Sequence, residues 1–89
     1  MHVTVVFTTQ LKAQLGRGEQ SLELNERATV RAAIEQLAGQ YPAEFSQLVL
    51  QDGSLMPSIL ISVNDQQVME DHVLEDHDTL TLLSAISGG

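Results

Sequence analysis

An α+β fold, with one amphipathic helix laid across a small mixed sheet, is what this sequence predicts. Three observations carry that reading. Stretches of alternating apolar and polar residues open the chain, and two strand-like runs close it. A single apolar stripe at helical spacing lies between them. The length of 89 residues, 43% apolar and 18% charged, is the balance of one globular domain, too short for two cores. The domain is placed at residues 1–83 and a flexible tail at 84–89.

Taken in order, His2 to Phe7 reads as a strand, because Val3, Val5 and Phe7 alternate with His2, Thr4 and Val6. Leu11 and Leu15 are four apart and fit a short helical turn, which Gly16-Arg17-Gly18 breaks. Ser21-Leu22-Glu23-Leu24 alternates again, so the first two strands form an antiparallel hairpin. Thr29 is a good N-cap for the main helix, since its oxygen accepts from an orphan backbone N–H. Val30, Ala33, Ile34, Leu37, Ala38 and Tyr41 then form its apolar stripe. Arg31 in the first turn opposes the helix dipole, at a few tenths of a kcal/mol. Pro42 disfavours α geometry at Tyr41, which ends the helix near Gln40. The same proline suits the first position of a second short helix carrying Phe45, Leu48 and Val49. Asp52-Gly53 is a turn. Ile59 to Val63 is the strongest strand by β-branched content, Asn64-Asp65 turns the chain again, and Thr79 to Leu83 is the last strand. The order β-β-α-(short helix)-β-β suits a β-grasp arrangement with a mixed four- to five-stranded sheet. In it the helix crosses between two hairpins, and the first and last strands lie side by side in the middle.

Composition narrows the function. Lys and Arg number 4 against 12 Asp and Glu, a net charge of −8. Nucleic acid and anionic membrane are not expected as partners, because both need clustered cations. A basic protein partner suits the charge. The sequence has no cysteine, which removes disulfides, Cys-ligated zinc, iron–sulfur clusters and any thiol nucleophile. No signal peptide is read at the N-terminus and no apolar run is long enough to span a bilayer, so a cytoplasmic location is expected. Three aromatics, Phe7, Tyr41 and Phe45, offer no base-stacking platform.

The sequence ends Ser87-Gly88-Gly89. Such a pair can be a frayed or arbitrary end, but a strand feeding directly into it weighs the other way. Without Cβ, two glycines lie flat in a narrow channel and adopt backbone angles closed to other residues. A partner enzyme can then bring ATP to the α-carboxylate, and adenylation gives it a good leaving group. Sulfur attacking that carbonyl leaves a C-terminal thiocarboxylate. With no cysteine, Gly89 is the place where this chain would carry sulfur.

The run Leu74-Glu75-Asp76-His77-Asp78-Thr79-Leu80-Thr81-Leu82-Leu83, followed by Ser84-Ala85-Ile86-Ser87-Gly88-Gly89, resembles the end of MoaD/ThiS-type sulfur carriers, which are β-grasp, ubiquitin-like proteins. The family pattern there is a leucine, an Asp-Gly-Asp turn, a strand and a Gly-Gly tail. Val63-Asn64-Asp65 is similar to its Val-Asn-Gly turn, Val30 to Tyr41 to its helix, and Met1 to Thr8 to its first strand. The segment Leu50 to Pro57 looks like that of the longer, CysO-like carriers. The resemblance implies a protein cosubstrate or small subunit rather than an autonomous enzyme. It implies no bound cofactor. ATP is used by an E1-like adenylating partner, and covalent sulfur sits on Gly89 with Gly88 beside it. The acceptor would be an enzyme such as a molybdopterin synthase large subunit, into whose active site the tail inserts, or a cysteine synthase.

Two departures from the pattern stand out. His77 occupies the usual glycine position of the Asp-Gly-Asp turn, so a positive φ there would cost about 1 kcal/mol. Ser84-Ala85 stands where many relatives have proline, so the tail is less pre-organised.

Other features of the sequence have simpler readings beside the functional ones. Glu70-Asp71-His72 and Glu75-Asp76-His77-Asp78 are read as a solvated acidic loop ahead of a metal site, with docking to a basic partner as an alternative. Val6, Leu60 and Leu83 should face away from the helix, where they form a partner interface unless a loop or the short helix covers them. Together with Ser84, Ala85, Ile86 and Ser87 they are the candidate partner-binding residues. No G-x-S-x-G setting or phosphate-binding loop is present. The competing functions are a ubiquitin-like modifier joined to lysines through Gly89 and a β-grasp interaction module with an idle tail.

Overall fold

The computed structural model describes residues 1–84. The strands are β1 (His2–Phe7), β2 (Glu19–Glu23), β3 (Leu50–Gln51), β4 (Ser54–Leu55), β5 (Ile59–Val63), β6 (Gln66–Gln67) and β7 (Thr79–Ser84), and the helices are α1 (Thr9–Leu15), α2 (Val30–Gln40) and α3 (Pro42–Leu48). Five strands form one mixed sheet in the order β2-β1-β7-β5-β6. β1 and β7 pair in parallel at its centre, and every other pair is antiparallel. This is the expected β-grasp layout.

Alternation sets the register of burial. Val3, Val5 and Phe7 of β1, Ile59, Ile61 and Val63 of β5, and Leu80 and Leu82 of β7 all point into the core. Val30, Ala33, Ile34 and Leu37 of α2 cover them from one side, fully buried, with Ala38 and Tyr41 half-buried at the end of the stripe. The Thr29 hydroxyl accepts from the Ala32 N–H at 3.1 Å, which is the cap expected from sequence. Pro42 begins α3, and the Tyr41 and Phe45 rings stack across the α2–α3 corner with centroids 6.3 Å apart. The unfavourable place of Arg31 on the α2 dipole is offset locally. Its guanidinium meets Glu70 at 3.2 Å and Glu35 at 3.4 Å and donates to the Gly53 carbonyl.

Two short elements go beyond the sequence reading. Asn64 and Asp65 both have positive φ, 51° and 69°, and join β5 to β6 as a two-residue hairpin of the primed type. Asp52 and Gly53, at 54° and 78°, do the same for β3 and β4. β3, β4 and β6 are each two residues long, too short to show a hydrophobic period. β2 starts at Glu19, two residues before the expected strand. β7 runs one residue past its expected end, so Ser84 is sheet and not tail. It pairs with Ile59 and is only 6% exposed. No helix among the described residues is long and apolar enough to cross a membrane.

Candidate functional site

The end of β7 is the part of the fold that matters for the tail, and it is held by two threonines that follow β1. The Thr8 hydroxyl donates to the Leu82 carbonyl at 3.0 Å. The Thr9 hydroxyl donates to the Ser84 carbonyl at 3.0 Å and also meets the Ser84 hydroxyl. Thr9 has φ of +48°. A β-branched residue in that region is strained, and the strain coincides with the clasp on Ser84. The last sheet residue is thereby fixed from both sides, by its pairing with Ile59 of β5 and by Thr9 at the start of α1. The candidate residues Ala85, Ile86, Ser87, Gly88 and Gly89 lie outside the described residues.

Below this clasp, the open face of the sheet carries the apolar residues read from alternation. Leu60 and Leu83 are direct cross-strand partners, 40% and 41% exposed, so neither α3 nor a loop covers them. Val6, half-buried, sits one strand over on β1 and is in register with Thr81. A shallow depression between Leu60, Ser62, Thr81 and Leu83 makes the face concave. Met69, 75% exposed, extends the patch. It lines a second depression together with Leu55, Leu60 and Val68. The sequence carried no signal for Met69, which stands in an acidic loop without periodicity.

The opposite end of the sheet explains the motif that carried the resemblance. The Asp78 carboxylate accepts from the Glu75 N–H and from the Asn64 side-chain amide, both at 2.8 Å, and the Asn64 side-chain carbonyl accepts from the Thr79 N–H at 3.0 Å. The Asp76 carboxylate accepts from the His2 N–H at 2.8 Å, and the His77 N–H donates to the His2 carbonyl at 2.7 Å. Leu74 is buried beneath them. These residues lock the two hairpins together and start β7 in register. His77 does adopt the left-handed conformation, with φ of +69°. Among the described residues, no three His, Asp or Glu side chains converge as a metal would need.

The His2 N–H, followed by the charge of His77, holds the Asp76 carboxyl below its ordinary pKa. A depressed folded-state pKa means the stabilisation is present above the unfolded-state value, near ~4, and is lost as pH falls through the lower folded-state one. Asp76→Asn keeps an acceptor but not the charge. Its urea midpoint should therefore lie below the parent's at neutral pH, with the gap closing in acid. A gap that is constant with pH would refute this.

A sheet of this order, crossed by one main helix, defines the ubiquitin-like β-grasp class. The sequence profile of the ThiS family matches residues 5–89, and the chain belongs to that family of small ubiquitin-like sulfur carriers. Among solved structures, SAMP1 of Haloferax volcanii superposes with a TM-score of 0.90 at 25% identity, covering 100% of both chains. A Pyrococcus furiosus protein described as molybdopterin converting factor, subunit 1, gives 0.80 at 26% identity over 97% of this chain and 99% of its own. A chain of the BexX/CysO complex of Amycolatopsis orientalis is 34% identical, with a TM-score of 0.72 over 98% and 99%. A comparison with curated proteins finds no match.

Proposed function

We propose that this chain carries sulfur as a thiocarboxylate on Gly89. An E1-like enzyme adenylates the carboxyl from ATP. Sulfide then adds to the carbonyl carbon, the bond to the adenylate oxygen breaks and AMP leaves with its electron pair, and the thiocarboxylate tail is presented to an acceptor enzyme. The observation that carries this reading is the family match, which runs to Gly89 and takes in both terminal glycines. In this reading the folded body is a handle. Val6, Leu60 and Leu83 dock the partners, and Ser84, Ala85, Ile86 and Ser87 lead into their active sites with Gly88 and Gly89 at the tip. The likeness to a chain of the BexX/CysO complex and to a molybdopterin converting factor subunit supports a carrier that works with a partner protein, and the acceptor in this reading is a molybdopterin-synthase-like large subunit or a cysteine-synthase-like enzyme. A cytoplasmic setting belongs to the same proposal.

Co-expression with an E1-like enzyme and a sulfur source tests it. The intact mass should rise by the exchange of one oxygen for sulfur, with the change mapped to Gly89. An unchanged mass beside a free, adenylation-competent carboxylate overturns the reading. The likeness to small archaeal modifier protein 1 favours a second reading, acylation of target lysines. Gly-Gly remnants on other proteins would mark it.

A further inference from the structure

The five-stranded sheet has two edges. β6, at one, is two residues long. β2, at the other, is a full strand with β1 on one side and, among the described residues, no strand on the other. The bonds to β1 fix which backbone groups of β2 face outwards. The Phe7 N–H donates to the Gly18 carbonyl at 2.8 Å, and Met1 and Leu24 exchange both of their bonds, each at 2.8 Å. Gly18 and Leu24 therefore face β1, and so do Gln20 and Leu22 between them, because backbone groups alternate in direction along an antiparallel strand. Glu19, Ser21 and Glu23 point their N–H and C=O groups away from the sheet. The Glu23 carbonyl takes an N–H from the Gln36 side chain at 2.9 Å. The Glu19 and Ser21 carbonyls and the N–H groups of Glu19, Ser21 and Glu23 have no partner among the described residues.

This edge is held in place as well as open. Leu22 is buried in the core. The Gln20 side chain accepts from the Tyr41 hydroxyl and donates to the Gln40 side chain, both at 2.6 Å. β2 is thereby tied to α2, and its outer groups stand in strand geometry as a template for another chain.

Charge decides what the template accepts. Alternation puts the side chains of Glu19, Ser21 and Glu23 on one face, all exposed, with the two glutamates four residues and about 14 Å apart. Among the described residues Glu19 makes no ion pair, and Glu23, 76% exposed, has the His2 ring at 4.0 Å. A second copy of this chain does not fit. Paired about Ser21, two β2 strands would set Glu19 of each against Glu23 of the other, and like charges directly opposite destabilise a sheet. An extended chain with Lys or Arg at those two places reverses the sign of both contacts.

We propose that the outer edge of β2 binds an extended basic segment of a partner protein, which joins the sheet as an antiparallel strand with one cation opposite Glu19 and another opposite Glu23. The pattern recognised is two basic residues four apart, with a small or β-branched residue midway, opposite Ser21. β1 and β7 lie between this edge and Leu60 on β5, so a partner on β2 leaves the Leu60–Leu83 face open. Two proteins can then hold the chain at once.

Titrating the isotope-labelled full chain with the capped peptide Thr-Lys-Val-Thr-Val-Lys-Thr, followed by NMR, tests this. The amide signals of Glu19, Ser21 and Glu23 should shift together, and their hydrogen exchange should slow about tenfold at a peptide concentration near ten times its Kd. The same peptide N-methylated at its central threonine lacks the donor for the Ser21 carbonyl and should bind about tenfold more weakly. A peptide with both lysines replaced by glutamates should leave the parent unchanged and bind the double variant Glu19→Lys, Glu23→Lys. Both substitutions fall on exposed side chains, so the fold is kept. Equal binding of the N-methylated peptide would reduce the contact to charge attraction and overturns the proposal. So do shifts confined to other strands, or no shift at millimolar peptide. None of these results bears on Gly89, so the sulfur reading stands or falls separately.

Discussion

Phe7→Ala is expected to remove about 3–5 kcal/mol of stability, a large share of what holds this fold together. Phe7 is 1% exposed and pairs with Leu82 in the central parallel ladder. Truncating its ring removes the apolar transfer term and leaves a cavity that close-packed neighbours fill only in part. A domain of 89 residues carries a total of roughly 4–13 kcal/mol. The loss should therefore lower the thermal midpoint by roughly 12 °C or more, or unfold the protein outright. Urea denaturation of the parent, Phe7→Leu and Phe7→Ala measures it, with Phe7→Leu expected in between. Leu83→Ala, on the open face at 41% exposed, should cost less than about 1 kcal/mol by the same reasoning. A Phe7→Ala loss no larger than that of Leu83→Ala would mean that the core is not organised around β1 and β7.

That contrast also shows what could be read from the chain before its structure. β1, β5 and β7 were legible because each has a buried face and a wet face, and alternation records the difference residue by residue. α2 was legible from Thr29 and its stripe. β6 was not, because Gln66 and Gln67 are both exposed, and nothing in two polar residues distinguishes a strand from a loop. Only the Asn64-Asp65 turn places them beside β5. Ser84 misled for a different reason. A serine heading a small, polar run resembles tail, and its burial depends on Thr9, which is distant in sequence and held in a backbone conformation that no local pattern foretells. Arg31 was legible as a liability on α2, but its partner Glu70 comes from a loop on the far side of the sequence. Of the candidate site, Leu60 and Leu83 followed from alternation and Met69 did not. The Leu74–Asp78 run pointed to the right family, yet its side chains serve as the lock between hairpins, at the opposite end of β7 from the tail. A sequence signature can thus identify a carrier through the residues that build it.

Deleting Gly88 and Gly89 should abolish sulfur loading entirely and leave the fold as stable as the parent. Among the described residues the buried apolar ones all fall between Val3 and Leu82, and the clasp on β7 holds Ser84. The truncated chain keeps every one of these contacts and should unfold at the parent's urea midpoint. It still has a carboxylate, now on Ser87, so the loss cannot be put down to the absence of an acyl group. What changes is the bulk beside the reacting carbon. A channel that admits glycine backbone excludes a side chain at the same depth, and catalysis by an adenylating enzyme requires the carboxylate within about 3–3.5 Å of the nucleotide phosphorus. Gly89→Val separates shape from length, because it restores the reach of the tail but not its slimness, and it too should fail. Leu60→Glu and Leu83→Glu should behave differently. Both change an exposed residue and leave the tail intact, so they should raise the KM of the activating enzyme for the carrier with a smaller effect on kcat, because they weaken docking and not the chemistry. Intact mass after incubation with an E1-like enzyme, ATP and sulfide reads all four variants. Normal loading of the truncated chain would move the chemistry off Gly89, and with it the role of the sheet face as the handle that delivers it.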